Sequence, residues 1–322
     1  MANEKLDSRQ LKAEALRLGF SRIGLAPAEP VPEDVMADYE RWLREGRQAG
    51  MHYLENHLAL RRNPALLLPG AVTVVSLAIS YNPGDRPTQQ GIAWYAQGRD
   101  YHDVVRERLR QLVAAISLQM PLSPDNYRIC VDTAPLPEKY WAWRCGLGWI
   151  GRHRQLVIPH EGSAFFLAEL LLTCEADRYD TPLSPQPFPG GGVPGCGTCR
   201  RCLEACPTSA LTDDGLDARR CLSYLTIEHR GPLPDAVAPY LCDCFYGCDR
   251  CLRACPHLSR ALPSPVEEFR PSPLLLSMSP TDWERLSPDE YRTLFRGSAV
   301  KRAKYEGLMR NIRLSLREPS DD

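Results

Sequence analysis

The chain contains 322 residues, of which 43% are hydrophobic and 25% are charged, so it is long enough and apolar enough for two domains with buried cores. Its 39 Lys and Arg residues nearly balance its 40 Asp and Glu residues, and the net charge is −1. This balance excludes disorder driven by charge and a chain that is basic throughout. No apolar run is long enough for a transmembrane span, and the first residues carry no apolar signal region. The sequence therefore predicts a cytoplasmic protein with no membrane partner.

Hydrophobic patterning divides the chain into three parts. We predict an α/β domain over residues 1–183, a cysteine-rich domain over 184–262 and a helical C-terminal tail over 263–322. Residues 181–195 are rich in proline and glycine and are predicted to be the linker. The predicted elements, in chain order, are a helix over 8–19, a buried strand over 71–80, a helix over 101–120, a short strand over 128–131, a helix over 138–145, a strand or buried helix over 164–173, and helices near 287–296 and 298–316.

Two short motifs suggest cofactor sites but lack the required context. The stretch Gly146-Leu-Gly-Trp-Ile-Gly151 fits the dinucleotide-binding pattern G-x-G-x-x-G, which needs a strand before it and a helix after it. Here a predicted helix precedes the glycines and a strand-like run follows them, so we predict a tight helix-to-strand turn. Asp100-Tyr-His102 begins like a cobalamin-ligating Asp-x-His-x-x-Gly motif, but Val105 stands where the glycine is needed. A histidine-ligated cobalamin is therefore not supported.

The cysteines carry the strongest signal. Ten of the 13 cysteines fall between Cys196 and Cys255, and clustering of this kind favours metal ligation over a disulfide framework. The run Cys196-x2-Cys199-x2-Cys202-x3-Cys206-Pro207 matches the bacterial ferredoxin pattern, in which the fourth cysteine ligates the other cluster. Structural zinc also uses Cys-x2-Cys pairs, but zinc does not explain the third cysteine, the x3 spacing and the proline.

A partial second copy of this run follows as Cys248-x2-Cys251-x3-Cys255-Pro256. Phe245 stands where the copy should begin, so a second 4Fe–4S cluster needs a ligand from elsewhere. Cys221, Cys242 and Cys244 are the candidates. The three outlying cysteines are predicted to be buried core thiols; they are Cys130, Cys145 and Cys174.

Further short motifs occur in a consistent order and spacing from residue 8 to 316. They are Arg61-x2-Pro64-x-Leu-Leu-Leu-Pro69, Asp100-Tyr-His-Asp103, Val131-Asp132-Thr133, Gly146 to Gly151, Gly162-Ser163, Leu167-x-Glu169, Leu216-Asp-Ala-Arg-Arg-Cys221, Tyr246-Gly-Cys248, Lys301-Arg302 and Gly307-Leu-x-Arg310-Asn311. Together with the cysteine runs, these stretches resemble the epoxyqueuosine reductases, the cobalamin-dependent enzymes of tRNA modification.

The resemblance implies an activity and its cofactors. The epoxide of epoxyqueuosine, at the wobble position of a tRNA, would be reduced to give queuosine. A base-off cobalamin would lie between an α/β (α+β) N-terminal domain and a ferredoxin-like domain with two 4Fe–4S clusters. An external one-electron donor of the ferredoxin or flavodoxin type would supply the electrons, and the chain would act as a monomer.

The resemblance also implies which cysteines share a cluster. Cys242 and Cys244 depart from the family pattern, and Cys244 could compete with Cys221. The implied ligand sets are Cys196, Cys199, Cys202 and Cys255 for one cluster, and Cys206, Cys221, Cys248 and Cys251 for the other.

Asp132 is implied to be the acid that protonates the leaving oxygen. A carboxyl group donates a proton near pH 7 only if its pKa is raised, and the apolar strand before Asp132 favours a poorly solvated site. The alternative is that Asp132 caps the helix after Pro135. The residues expected near the corrin, besides Asp132, are Arg61, Leu156, Ser223 and Thr226.

Basic residues are the candidates for contacts with tRNA phosphates, which require cations but no particular sequence. The alternative is that they form ordinary solvated helix faces. The candidates are Arg152, Arg154, Lys301, Arg302, Lys304 and Arg310.

Two other functions fit the cysteine motifs. Reductive dehalogenases also pair base-off cobalamin with two 4Fe–4S clusters, but they commonly carry a twin-arginine signal that this N-terminus lacks. An electron-carrier subunit would contain iron and sulfide, with no cobalt and no affinity for tRNA.

Overall fold

The computed structural model describes residues 5–183 and 195–316. Most of the predicted linker, residues 184–194, lies outside the described residues. The helices are α1 Ser8–Arg17, α2 Glu33–Arg44, α3 Leu58–Arg62, α4 Tyr101–Ser117, α5 Glu138–Arg144, α6 Arg201–Glu204, α7 Leu222–Ile227, α8 Arg250–Arg253, α9 Pro273–Leu276, α10 Pro280–Arg285, α11 Pro288–Leu294 and α12 Lys304–Ser315. The strands are β1 Arg22–Pro27, β2 Thr73–Ser80, β3 Tyr127–Cys130, β4 Trp149–Ile150, β5 Leu156–Val157, β6 Phe165–Leu172, β7 Leu211–Thr212 and β8 Gly215–Leu216.

A four-stranded antiparallel sheet organises the N-terminal domain, with the strand order β1-β2-β6-β3. Every residue of β2 is buried, because helices cover both faces of the sheet. One face packs against α1 and α4, and the other packs against α2 and α5. The antiparallel pairing makes this domain α+β, and the ambiguous apolar run 164–173 is the strand β6.

Neither β1 nor α2 was predicted from the sequence, but α1, α4, α5, β2, β3 and β6 lie where the patterning placed them. The glycine-rich motif is a tight turn between α5 and β4, as predicted, and its glycines serve packing. A Cβ on Gly148 would lie 2.1 Å from the Val157 carbonyl oxygen, and a Cβ on Gly24 of β1 would lie 1.9 Å from the Cys145 carbonyl oxygen. No side chain fits at either close approach.

The C-terminal tail packs as a set of short helices on the cysteine-rich domain. Ser279 and Ser287 each form a capping box that begins a helix, α10 and α11 respectively. The prediction of one helix over 298–316 is wrong, because a 3-10 turn over Ala299–Ala303 precedes α12 and Lys304 has a φ of 60°. The Tyr246 hydroxyl donates to the Ala299 carbonyl oxygen at 2.6 Å and ties the tail to the cysteine-rich domain.

In the part of the chain that the structure describes, no helix combines the length and the apolar character needed to cross a membrane.

The packing of α4 against the sheet provides a test of the fold. Leu109 is fully buried, whereas Leu118, just after the same helix, is 88% exposed. We expect Leu109→Ala to lower the free energy of unfolding by about 2–5 kcal/mol, because it opens a cavity in the core. Thermal denaturation followed by circular dichroism should show a midpoint lower by several degrees for Leu109→Ala and unchanged for Leu118→Ala. Equal midpoints for the two variants would contradict this packing.

Candidate functional site

The cysteine-rich domain gathers eight cysteines into two groups of four. Quartet I is Cys196, Cys199, Cys202 and Cys255, and quartet II is Cys206, Cys221, Cys248 and Cys251. Burial, followed by the neighbouring Cys196 and Cys255, raises the pKa of Cys202 to about 11. Burial and then the thiols of quartet II raise the pKa of Cys221. Thiolates rather than thiols bind metals, so metal binding at these quartets must displace protons.

The two quartets adjoin each other, since Cys251 interacts electrostatically with its own quartet and with Cys202 of quartet I. Quartet I takes three cysteines from the first run and Cys255 from the second run. Quartet II takes two cysteines from the second run, Cys206 from the first run, and Cys221, which lies between the two runs. Within the described ranges, no three His, Cys, Asp or Glu side chains converge closely enough to hold a single metal ion.

The remaining cysteines differ in their surroundings. Cys130 and Cys145 are buried in the N-terminal core and Cys174 is half-buried, in line with the expectation of core thiols. Cys242 is exposed, whereas Cys244 is buried. The Cys244 thiol donates to the Tyr240 carbonyl oxygen at 2.9 Å and is also hydrogen-bonded to Cys248 of quartet II.

Asp132 lies just after β3, in a loop where its φ is 52°. Its amide donates to the Glu138 Oε1 at 2.6 Å, and its Oδ2 lies 3.0 Å from the His102 Nε2. The other ring nitrogen of His102, Nδ1, lies 2.7 Å from the Asp100 Oδ1. His102 is thus held between two carboxylates, and Asp132 does not cap α5, which begins at Glu138.

This pairing sets the charges around Asp132. Burial disfavours the charged ring, but hydrogen bonds to Asp100 and Asp132 outweigh it and raise the pKa of His102 to about 9. Burial also favours the neutral form of Asp132, but the hydrogen bond with His102 outweighs that effect and lowers the pKa of Asp132. The expectation of a poorly solvated Asp132 is wrong in this conformation, because its side chain is 55% exposed.

The sequence analysis did not identify His102 as a site residue. The Asp100-x-His102 spacing at the start of α4 is the sequence feature that could have identified it, but we interpreted this spacing only as a cobalamin motif. Asp100 accepts from the backbone amide of His102 at 3.0 Å as well as from its ring, so the short spacing positions the imidazole.

A cavity of about 420 Å³ lies between α2, the start of α5 and the β7–β8 hairpin. Arg61 lines it, as expected for a residue near a cofactor, and its buried Nε has no hydrogen-bond partner. The Arg61 guanidinium lies 5.8 Å from the centre of the Tyr39 ring. Glu138 and Lys139 also line the cavity, and Lys139 interacts electrostatically with Cys251. The cavity therefore adjoins both the Asp132 loop and quartet II.

Three other residues predicted near a corrin do not line this cavity. Leu156 is buried in the N-terminal core. Thr226 is fully buried, donates to the Leu222 carbonyl oxygen at 2.7 Å and accepts from the Gly247 amide at 2.9 Å, so its hydroxyl supports the fold of the cysteine-rich domain. Ser223 is half-buried on α7. These three predictions arose from motif position, which does not report the direction of a side chain.

The predicted phosphate-binding residues separate into two groups. Arg152, Arg154 and Arg310 donate to backbone carbonyl oxygens within the protein, and their contact with tRNA phosphates stays a prediction. Arg152 donates to the Gly197 carbonyl oxygen at 2.8 Å and Arg154 to the Asp213 carbonyl oxygen at 3.5 Å. Arg310 donates to the Leu225 carbonyl oxygen at 3.0 Å.

The other three basic residues, Lys301, Arg302 and Lys304, are exposed. Arg302 forms a two-pronged ion pair with Glu228, at 2.8 and 2.9 Å, and lies 5.5 Å from the centre of the Tyr53 ring. Both Arg302 and Tyr53 interact electrostatically with Asp132. The structure thus brings one predicted phosphate-binding residue and the predicted acid to the same place.

Two family models match this chain. The model described as epoxyqueuosine reductase QueG, DUF1730, matches residues 61–133, and the model described as a 4Fe-4S double cluster binding domain matches residues 195–257. Residues 195–257 therefore form a domain for two 4Fe–4S clusters.

Curated proteins and solved structures agree with these matches. An epoxyqueuosine reductase from Cellulophaga algicola is 38% identical over 97% of this chain and 99% of its own length. One from Pseudomonas aeruginosa is 36% identical over 96% of this chain and 84% of its own length.

Among solved structures, an epoxyqueuosine reductase with an epoxyqueuosine-modified tRNA-Tyr stem loop matches with a TM-score of 0.83 and 28% identity, over 96% of this chain and 80% of its own. The Bacillus subtilis epoxyqueuosine reductase, with its catalytic aspartate loop swung out of the active site, matches with a TM-score of 0.81 and 27% identity, over the same shares of the two chains.

A buried histidine gives a test of the electrostatics. His153 is 4% exposed, accepts from the Gln155 amide at 3.1 Å and contacts the Ser163 hydroxyl at 3.1 Å. Burial, assisted by Lys139, lowers the pKa of His153 to about 4. The unfolded chain therefore binds more protons than the folded chain between about pH 6.5 and pH 4. As the pH falls through that window, the free energy of unfolding decreases by about 1.4 kcal/mol per pH unit.

We expect the thermal midpoint of the wild-type protein to fall more steeply between pH 7.5 and pH 5 than that of His153→Asn, which cannot titrate. Thermal denaturation followed by circular dichroism at the two pH values measures the change in midpoint of each protein. An equal change in the two proteins would contradict the buried neutral histidine.

Proposed function

The chain belongs to the epoxyqueuosine reductase family, and we propose that it reduces epoxyqueuosine to queuosine at the wobble position of tRNA, using cobalamin recharged through two 4Fe–4S clusters. The observation that carries the proposal is the position of the Asp132–His102 pair beside a cavity that adjoins quartet II. A proton-donating pair, a cavity and an electron relay are thereby adjacent. A tRNA substrate and easily oxidised clusters both suit the cytoplasm, where we place the enzyme.

We assign one 4Fe–4S cluster to quartet I and the other to quartet II. Each quartet supplies four thiols, the ligand number that such a cluster takes. The cluster of quartet II is the one next to the cavity, since Cys251 interacts electrostatically with Lys139 on the cavity wall. We propose that an external one-electron donor reduces the cluster of quartet I first and that electrons pass from there to the cluster of quartet II.

The cavity residues suit cobalamin, whose corrin ring carries amide side chains around its edge. The buried Arg61 Nε has no partner in the protein and is available to donate to an amide oxygen, and Tyr39 and Trp42 supply apolar walls. When bound, cobalamin supplies the reduced cobalt centre whose electrons break the epoxide carbon–oxygen bond. Arg61 and the apolar walls would hold the ring, and Glu138 and Lys139 would face it.

The proton for the departing oxygen resides on the His102–Asp132 pair. Near pH 7, His102 is charged and Asp132 is ionised, so the pair carries one transferable proton along the 3.0 Å contact between Nε2 and Oδ2. We propose that His102 passes this proton to Asp132, which delivers it to the substrate. Asp100 keeps the ring oriented throughout.

We propose that the anticodon loop of the tRNA approaches over Tyr53, Arg302 and Lys301. Tyr53 is 48% exposed and offers a face on which a base can stack, and the adjacent cations suit phosphates. Both Tyr53 and Arg302 are near Asp132, so a base resting there would have its modification directed toward the proton donor.

The first test addresses Asp132. We expect Asp132→Asn to retain about eight iron and one cobalt per chain after anaerobic reconstitution, and to lose about 10²- to 10⁴-fold in turnover because the general acid is gone. The measurement is reduction of an epoxyqueuosine-containing tRNA stem loop, with queuosine detected by mass spectrometry of the digested RNA. Full activity in Asp132→Asn would end the proposed role, and an inactive wild-type holoenzyme would end the proposed function.

The second test addresses the ligand sets. We expect Cys221→Ala to lower the iron content from about eight to about four per chain, because quartet II loses a ligand. The matched control, Cys242→Ala, removes an exposed thiol and should keep about eight.

If Cys221→Ala keeps its iron but Cys221→Ala combined with Cys244→Ala loses half, Cys244 is the ligand and the assignment of Cys221 is wrong.

A further inference from the structure

The proposed reaction consumes two protons, and the inference below rests on that proposed function. An epoxide plus two electrons and two protons gives an alkene and water. Both carbon–oxygen bonds break, the carbon–carbon double bond forms, and the oxygen leaves as water. The two electrons come from the external donor through the clusters. The His102–Asp132 pair carries one transferable proton, so the site needs a second.

We propose that Glu138 supplies the second proton to the departing oxygen. Glu138 is the first residue of α5 and lines the cavity in which the cofactor is proposed to bind. Its Oε1 accepts from the Asp132 amide at 2.6 Å, which places its carboxyl group next to the loop of the first proton donor. It is therefore a cavity-lining carboxyl that is hydrogen-bonded to the Asp132 loop.

The surroundings of Glu138 favour its protonated form at neutral pH. Burial raises its pKa and the Asp132 charge raises it further, whereas the hydrogen bond from the Asp132 amide and the positive charges of Lys139 and His102 oppose these effects, so that the pKa of Glu138 is about 8. The Lys139 ammonium donates to the Arg154 carbonyl oxygen at 2.7 Å, so one of its N–H groups is already held in a hydrogen bond within the protein.

A second carboxyl group lies behind Glu138 in the sheet. Glu169 of β6 is fully buried, accepts from the Ser76 hydroxyl at 3.1 Å and leaves its Oε2 without a hydrogen-bond partner. Burial, followed by the charge of Glu138, raises the pKa of Glu169 well above its ordinary value. A buried carboxyl with an unpartnered oxygen tolerates the neutral form far better than the charged form, so Glu169 favours its neutral form and adds no charge beside Glu138.

The competing interpretation is that Glu138 only holds the Asp132 loop. The hydrogen bond to the Asp132 amide stabilises a residue whose φ of 52° is uncommon outside glycine. Glutamine distinguishes the two roles, because its Oε1 still accepts from this amide while its amide group cannot donate a proton as an acid. Glu138→Gln therefore preserves the loop and removes only the acid.

The test is the pH dependence of single-turnover rates, measured with the reduced holoenzyme and an epoxyqueuosine-containing stem loop between pH 6 and pH 9.5. The wild-type rate should fall as Glu138 loses its proton near pH 8 and again as His102 loses its proton near pH 9. Glu138→Gln should be slower by about 10²-fold or more and should lack the fall near pH 8. The matched control is Glu29→Gln, which alters a 68% exposed carboxylate paired with Arg144, and its profile should equal that of the wild type.

A Glu138→Gln enzyme with the wild-type rate and profile would overturn the proposal. So would a slow Glu138→Gln enzyme that keeps the fall near pH 8, because Glu138 would then only position the loop.

A second measurement does not depend on turnover. Infrared difference spectra of the holoenzyme without tRNA, recorded between pH 6.5 and pH 9.5, should contain the carbonyl band of a carboxylic acid that disappears as the pH rises. The loss of this band near pH 8 should be seen in the wild type and in Glu29→Gln and not in Glu138→Gln, in which any remaining acid band comes from the buried Glu169. A wild-type spectrum without such a band would overturn the proposal even if the enzyme reduces epoxyqueuosine. If the enzyme is inactive but the band behaves as expected, the proposed function fails while the protonation of Glu138 stands.

Discussion

The exchange of cysteines between the two runs is the constraint on which the rest of this structure depends. Cys255, at the end of the second run, joins the first three cysteines of the first run, while Cys206 joins Cys248 and Cys251. Two segments about fifty residues apart must therefore fold together, with α6 packed on α8. This arrangement also places the β7–β8 hairpin, which lies between the two runs in sequence, against the N-terminal domain, where it closes one side of the cavity.

The N-terminal domain completes the site from the opposite side. Its antiparallel sheet ends in the loop that carries Asp132, and α4 brings His102 to the same loop. Because the carboxylates of Asp100 and Asp132 flank one imidazole, the proton stays on the ring and the pKa of Asp132 is lowered. In the proposed reaction, the acid is thus a pair of residues rather than a single carboxyl group. A single raised pKa, which we expected at Asp132, belongs instead to Glu138 on the cavity wall.

Sequence patterns predicted some features of the site well and others poorly. The cysteine spacing indicated two 4Fe–4S clusters, since ligand spacing is a local property that the chain itself carries. A basic residue near a motif looks the same in sequence whether it reaches solvent or donates to carbonyl oxygens, and only the structure shows that Arg152, Arg154 and Arg310 make the latter contacts. Motif position likewise did not indicate that Leu156 and Thr226 are buried.

The sequence by itself determined most of the long elements, among them α1, α4, β2 and β6, the tight glycine turn and the membership of a family with a known reaction. Each of these follows from periodicity, spacing or motif order along the chain. Only the tertiary structure decided the positions of β1 and α2, the antiparallel order of the sheet and the contacts among His102, Asp132 and Glu138. These depend on groups that are distant in sequence and meet through packing. Their pKa values follow from burial and neighbouring charges, which exist only once the chain has folded.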